Sequence, residues 1–262
     1  MKSQLEKATA LQALHERAGS FVIANAWDAG SARMLADEGF EALASSSGAS
    51  AAVWGKTDGQ LSRDEVLAHL RVLVEATDLP VSADLENGMS DTSEGIAETF
   101  RLAAATGIVG GSIEDGPRGA DSLYGIDEAV RRVAAAREAT RSLPFPFTLT
   151  ARCEGFLRGR RDLDETITRL QAYEAAGADV LFAPGLQTLD EVRAVCKALN
   201  RPVNYMIGIP GRSFTVQELA DAGVKRVSLA GSLYRTAMNA ARSAAREMRS
   251  QGSFSYVDSA RR

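Results

Sequence analysis

The sequence predicts an α/β chain folded as one (β/α)8 barrel, a TIM barrel. Three observations predict it. Eight short apolar or β-branched runs recur along the chain, each bounded by Gly, Pro, Asn or Asp. Longer stretches with helical periodicity separate them, and strands that alternate with helices imply a parallel sheet. The length, 262 residues, is large for one sandwich or bundle and ordinary for one closed α/β barrel, so 1–262 is read as a single domain.

The elements follow in order. Residues 1–18 have helical spacing and mixed charge, which predicts an N-terminal helix and no secretory signal. Strands are expected at Phe21–Asn25, Ala42–Ser46, Pro80–Asp84, Val109–Glu114, Phe147–Ala151, Val180–Ala183, Val203–Met206 and Arg226–Leu229. Helices are expected between them, among others at Leu61–Ala76, Ser93–Ala105, Asp127–Ala139, Leu163–Ala176 and Leu189–Leu199. Gly39, Gly107, Gly177 and Gly223 precede the second, fourth, sixth and eighth strands, where a left-handed residue would close a helix. A polar tail is expected over 249–262.

Composition excludes several classes. Hydrophobic residues make up 45% and charged residues 24%, which is globular. A net charge of −4 gives no basic stripe for nucleic acid. No apolar run approaches a membrane span. Only Cys153 and Cys196 occur, without metal-type spacing, so a reduced, cytoplasmic protein is expected. There is no phosphate-binding P-loop. His15 and His69 fall on predicted helices, which argues against serine–histidine and zinc chemistry.

Barrel enzymes carry their reacting groups where strands end. The third strand ends in Asp84-Leu85-Glu86-Asn87-Gly88. Two acids two apart point the same way in an extended chain, and such a pair needs a cation or a proton. The fourth strand ends in Glu114-Asp115-Gly116, which repeats the signal. An all-oxygen set suits Mg²⁺, with Mn²⁺ as the variant. Arg152, at the tip of the fifth strand, can grip a carboxylate with two parallel N–H groups, or pair with Glu154 or Glu114. Cys153 alternates away from Arg152 and is read as buried wall. Ser45-Ser46-Ser47-Gly48, after the second strand, lets backbone amides approach an anion, and Asp58 follows in the same loop.

These motifs, together with Asn25-Ala26-Trp27-Asp28-Ala29-Gly30-Ser31-Ala32-Arg33 and Gly177-Ala178-Asp179, resemble the isocitrate lyase/phosphoenolpyruvate mutase superfamily, in order, over about residues 20–235. The resemblance implies Mg²⁺, a pyruvate-type enolate, and a last helix exchanged between subunits of a homodimer or homotetramer. It implies Asp84 as the main metal ligand, with Glu86, Glu114 and Asp58 holding the metal's waters. Ser46, Ser47, Gly48 and Arg152 would bind the oxo-carboxylate end of the substrate. Trp27 and Asn204 are further candidates for substrate contact. The loop Gly116–Gly125 lacks the Lys-Lys-Cys-Gly-His run of many lyases of this group, and lacks the Lys and Asn of its phosphonate enzymes. Arg118 and Tyr124 are the candidates there for the distal carboxylate or for proton transfer. The expected activity is a Mg²⁺-dependent carbon–carbon lyase or decarboxylase on a small 2-oxo or 2-hydroxy carboxylate. The alternatives are phosphorus–carbon chemistry and a barrel that binds an oxo acid without turning it over.

Overall fold

In the computed structural model, which describes residues 2–259, eight parallel strands close into a barrel in sequence order. They are β1 (Phe21–Asn25), β2 (Leu43–Ala44), β3 (Val81–Asp84), β4 (Gly110–Glu114), β5 (Thr148–Arg152), β6 (Val180–Phe182), β7 (Val203–Met206) and β8 (Arg226–Ser228). Pairing of β1 with β8 closes the ring. Every predicted strand is present. β2 is shorter than the apolar run because Ser46 already serves as the N-cap of the next helix. β5 reaches one residue further than predicted, so Arg152 is itself in the sheet, paired with Glu114.

The helices are α1 (Gln4–Glu16), α2 (Ala29–Asp37), α3 (Ser47–Val53), α4 (Arg63–Ala76), α5 (Ser93–Ala104) and α6 (Ile126–Arg141), then α7 (Leu163–Ala175), α8 (Leu189–Ala198), α9 (Val216–Asp221), α10 (Ser232–Gln251) and α11 (Tyr256–Ser259). Reciprocal capping boxes start five of them: Ser3 with Glu6, Asp28 with Ser31, Ser62 with Glu65, Thr188 with Glu191, and Thr215 with Glu218. Each satisfies amides at the helix start that would otherwise lack partners. Four of these caps stand at the ends of strand-to-helix loops, where they fix the loops that frame the barrel mouth. Gly39, Gly107, Gly177 and Gly223 have φ of 84°, 101°, 102° and 95°, the left-handed conformation expected of residues that stop a helix before a strand.

The end of the barrel opposite the strand tips is shut by α1. Its Ala8, Leu11 and Leu14 pack on Phe21, Ile23, Ala42 and Val109, residues at or near the starts of β1, β2 and β4. Lys7 Nζ donates to the Thr77 carbonyl and Gln4 Nε2 to the carbonyls of Ala104 and Ile108, which pins the plug polar-side as well. The larger apolar core lies between the strands and the outer helices. With the floor plugged, small molecules reach the interior from the strand-tip end.

The tail differs from expectation. Residues 249–251 belong to α10, which continues until Gly252 adopts φ 63° and stops it. The short α11 follows, and 260–262 of the predicted tail lie outside the described residues. α10 is 20 residues long and buries none of them against its own barrel.

Candidate active site

The barrel register assembles the site. Asp84 stands opposite Ser112 across β3 and β4, and Glu114 opposite Arg152 across β4 and β5. Arg152 therefore reaches three acids. Its Nη1 lies 3.0 Å from Asp84 Oδ1, and its Nη2 lies 3.5 Å from Glu114 Oε2 and 2.9 Å from Glu154 Oε1. Its guanidinium carbon sits 5.3 Å from the centre of the Phe182 ring. Both pairings expected for Arg152, with Glu154 and Glu114, are made, and Asp84 is added to them.

Charge and burial set the protonation of this cluster. Burial pushes Asp84 up, but the Arg152 charge and the amides of Ser47 and Glu86 outweigh it and hold Asp84 below the usual carboxylate range. Burial pushes Glu114 well up; Arg152 opposes this, while Glu154 and Asp84 reinforce it. Burial pushes Glu86 up to about 7; Arg118 opposes and Asp84 reinforces. Negative charge thus exceeds what the arginines neutralise. Burial works against the charged form of Arg152, yet Glu154, Asp84 and Glu114 keep it firmly protonated.

The expected side-by-side display of Asp84 and Glu86 is corrected by the structure. β3 ends at Asp84, and Glu86 takes a left-handed φ of 49°, so period-two alternation no longer applies. Asp84 lines a cavity of about 410 Å³, and Glu86 lines an adjoining one of about 250 Å³. The backbone amide of Glu86 still reaches back to Asp84 Oδ1 at 3.3 Å.

The loop after β2 supplies the second wall. The Ser47 amide donates to Asp84 Oδ2 at 3.2 Å, and the Ser45 hydroxyl accepts from the Asp84 amide at 2.9 Å. Ser46, Ser47, Gly48 and Asp58 all line the larger cavity, and Ser47, Asp58 and Arg152 line both. Gly48 matters sterically: a Cβ there would meet Asp58 Oδ2 at 3.3 Å. Its absence lets the Asp58 carboxylate lie against the loop.

The loop after β4 is held shut by two arginines. Arg118 donates to Glu86 Oε2 at 2.7 Å and to the Leu61 carbonyl at 2.6 Å, and it lines the smaller cavity. Arg158, on the β5–α7 loop, donates to the carbonyls of Pro117, Ala120 and Ser122 and pairs with Glu114 at 3.2 Å. Asp115 is buried and accepts from Tyr173, Arg169 and the Glu154 amide, which anchors the base of this loop to α7.

Several predicted residues lie elsewhere. The Tyr124 hydroxyl accepts from Asn87, and its ring lies under Arg132 at 4.3 Å, away from the lining of either cavity. Trp27 meets Tyr234 edge-on at 5.8 Å, and Tyr234, not Trp27, lines the larger cavity. Asn204 does line that cavity, donating to Ser228 and accepting from Arg226. His69 is buried, its Nδ1 3.2 Å from the Ser50 hydroxyl and its Nε2 2.8 Å from the Trp27 carbonyl, so it braces two loops. Cys153 is buried in the wall, as its alternation with Arg152 predicts.

Sequence reading missed Ser112, Asn25, Arg158, Arg226 and the pair Tyr234 and Arg235. Ser112 could have been found by the same alternation that marks Glu114. Arg226 could not, because it begins its strand and only strand ends were read. Arg158 sits in the basic run Arg158-Gly159-Arg160-Arg161, whose purpose appears only once the loop after β4 is seen beside it.

Among the described residues no three acidic or sulfur and imidazole groups converge as a direct metal cluster. Arginines separate the carboxylates. The donor set is nevertheless all oxygen. Asp58, Asp84, Glu86 and Glu114 border two adjoining cavities, with negative charge in surplus. That fits a hard divalent cation holding few direct ligands and several waters.

The sequence model of the family described as phosphoenolpyruvate phosphomutase matches residues 11–249. A Burkholderia cenocepacia protein whose assignment as a lyase/mutase is provisional has a solved structure that matches with a TM-score of 0.96 at 53% identity, covering 99% of this chain and 94% of that one. A 2-methylisocitrate lyase of Shewanella oneidensis is 31% identical over 221 residues, 80% of this chain and 74% of the relative. An oxaloacetate decarboxylase of Paraburkholderia xenovorans is 29% identical over 239 residues, 88% and 78% of the two chains. With strand-tip carboxylates, the arginine between them and a match over nearly the whole barrel, the chain belongs to the phosphoenolpyruvate phosphomutase family of the isocitrate lyase/phosphoenolpyruvate mutase enzyme superfamily.

Proposed function

We propose that the protein is a Mg²⁺-dependent carbon–carbon lyase or decarboxylase acting on a small 2-oxo or 2-hydroxy carboxylate through a pyruvate-type enolate. One observation carries this reading. Asp84, Glu114 and Arg152 stand together at the tips of three adjacent strands, beside backbone amides of the Ser46–Gly48 loop; Asp84 and Arg152 line the larger cavity, and Glu114 and Arg152 the adjoining one.

The roles follow from charge. Enolate formation builds negative charge on a carbonyl oxygen, and catalysis is greatest where donors already point at that charge. Asp84 would be the metal's direct ligand, with Asp58, Glu86 and Glu114 holding its waters. Mg²⁺, when bound, would supply Lewis-acid stabilisation of the developing oxyanion. Arg152 and the Ser47 and Gly48 amides would hold the oxo-carboxylate end and keep it oriented. A cation there would also draw down the raised pKa values of Glu86 and Glu114.

A second reading, phosphorus–carbon chemistry, is favoured by the family description and by the likeness to solved phosphonomutase and phosphoenolpyruvate phosphomutase structures. The Gly116–Gly125 loop offers only Arg118 as a cation, and that side chain is engaged with Glu86 and the Leu61 carbonyl. A metal-assisted carbon–carbon cleavage needs no further cation in that loop. A homodimer or homotetramer built by exchange of α10 accords with the absence of buried residues on that helix. A cytoplasmic setting accords with two free thiols.

The deciding experiment is turnover of oxaloacetate with Mg²⁺ by the wild type and Asp84→Ala. The expected result is Mg²⁺-dependent turnover that the variant loses, together with loss of Mg²⁺-induced thermal stabilisation. Unchanged turnover by the variant would overturn the assignment. Faster turnover of phosphonopyruvate than of oxaloacetate would favour the second reading.

A further inference from the structure

The larger cavity is electrically lopsided. Arg152 at its β5 wall is paired with acids, as are Arg118 and Arg158 in the adjoining cavity. Arg226 differs from all three. It lines the larger cavity from the first position of β8, and it has no carboxylate partner among the described residues.

The Arg226 side chain is deeply buried, with the residue only 5% exposed, and it is held at two points. Its Nε donates to Asn204 Oδ1 at 2.8 Å and its Nη2 to Thr150 Oγ1 at 2.9 Å, so β7 and β5 together fix the plane of the guanidinium. Its Nη1 is buried and meets no acceptor. Burial with no opposing charge pushes its pKa down to about 9, which still leaves it protonated at neutral pH. A buried cation without a counter-charge is costly, and a bound anion lowers that cost.

The surroundings of Arg226 are neutral. Phe21 and Asn204 are its neighbours across the sheet. Thr150 lies two residues before Arg152 on β5, and Ser82 two residues before Asp84 on β3, so both occupy a layer beneath the strand-tip charges. Ile23, Ser82, Asn204 and Ser228 line the same cavity as Arg226, and hydroxyl and amide groups of this kind can donate to an anion. His15, in the α1 plug, supplies no counter-charge. Burial first and the Arg226 charge second push its pKa down to about 3, so it is neutral. Phe21 and Ile23 seal the floor against α1, which leaves the barrel mouth as the way in.

We propose that the floor of the larger cavity, beneath Arg152, is a binding site for a small monovalent inorganic anion of the size of chloride, held by the Arg226 guanidinium with the Ser82 and Ser228 hydroxyls beside it. One negative charge cancels the one positive charge that the fold leaves uncompensated. A dianion would leave a buried surplus of the opposite sign. The site is separate from the acids gathered by Arg152, and it does not depend on the reaction proposed above. It has a consequence for that reaction all the same. With the floor neutralised, the carboxylate of an oxo acid is drawn to Arg152 and the loop amides rather than deeper into the barrel.

The test compares melting of the wild type and of Arg226→Met in sodium chloride and in sodium gluconate at equal ionic strength, gluconate being too bulky for the floor. At a chloride concentration about ten times its Kd, the wild type should melt about 3–5 °C higher than in gluconate. Arg226→Met should melt at the same temperature in both salts. Crystals of the wild type soaked in bromide should show an anomalous peak within hydrogen-bonding distance of the Arg226 guanidinium, a result that stands whether or not the variant folds. Equal melting of the wild type in the two salts would overturn the site, and so would a chloride response that survives in Arg226→Met. A water at Nη1 with no bromide peak would overturn it as well. A bromide peak without chloride-dependent stabilisation would mark an adventitious ion only.

Discussion

Arg152 Nη1 lies 3.0 Å from Asp84 Oδ1, and the same guanidinium also faces Glu114 and Glu154. One buried cation thus organises three buried anions contributed by β3, β4 and β5. The arrangement holds the strand-tip carboxylates apart and in place, at the cost of heavy dependence on one side chain.

Replacing that side chain should therefore be severe. Arg152→Ala strands three buried carboxylates, and breaking buried pairs typically costs about 3–5 kcal/mol. The loss should be larger at pH 8 than at pH 5, because at the lower pH Glu114 and Glu154, already pushed up by burial, take protons and no longer need a partner. Urea denaturation at the two pH values measures it. An equal loss at both would show that the carboxylates are not the cause.

Glu86 should make the metal-free protein less stable as pH rises. Its folded pKa, about 7, lies above the ordinary carboxylate value of 4.5. Between those values the folded state keeps a proton that the unfolded chain releases. Stability is therefore full below the lower value and falls as pH climbs towards the upper one, with a slope approaching about 1.4 kcal/mol per pH unit. Glu86→Gln should flatten the profile in that window, and so should saturating Mg²⁺ in the wild type. Chemical denaturation from pH 4.5 to 8 reads both.

Opening the loop after β4 should need only one methyl group. A Cβ on Gly116 would fall 2.0 Å from Arg158 Nη2, so Gly116→Ala must displace the guanidinium that ties together Pro117, Ala120 and Ser122. Trypsin should then cut after Arg118 faster than in the wild type, and Arg158→Ala should reproduce the effect. An unchanged cleavage rate in both variants would show that Arg158 does not hold the loop.

Neither thiol should react in the native protein. Burial raises Cys153 far above an ordinary thiol, with Asp115 adding to it, and pushes Cys196 up to about 12. The thiolate is the reactive form. Iodoacetamide at pH 8 should leave both unmodified and turnover intact until the chain is unfolded, as read by mass spectrometry. Rapid native labelling with loss of turnover would instead place a thiol in the chemistry.

The sequence by itself determined the architecture. Strand runs, helical periods and glycines such as Gly107 and Gly223 are local signals, set by side-chain alternation and by the steric freedom of one residue, so they survive being read one segment at a time. It also marked Asp84, Glu114 and Arg152, because a charge at a strand tip is conspicuous in one dimension. Glu86 shows the limit. Alternation places it beside Asp84, but the strand stops at Asp84 and a left-handed turn sends Glu86 into a different cavity. Only the closed barrel decided which charges are neutralised. Arg152 meets Asp84 from 68 residues away, whereas Arg226 and Arg235 meet no acid at all among the described residues. Coulombic pairing depends on distance in space, which strand register and barrel closure set and no local pattern encodes.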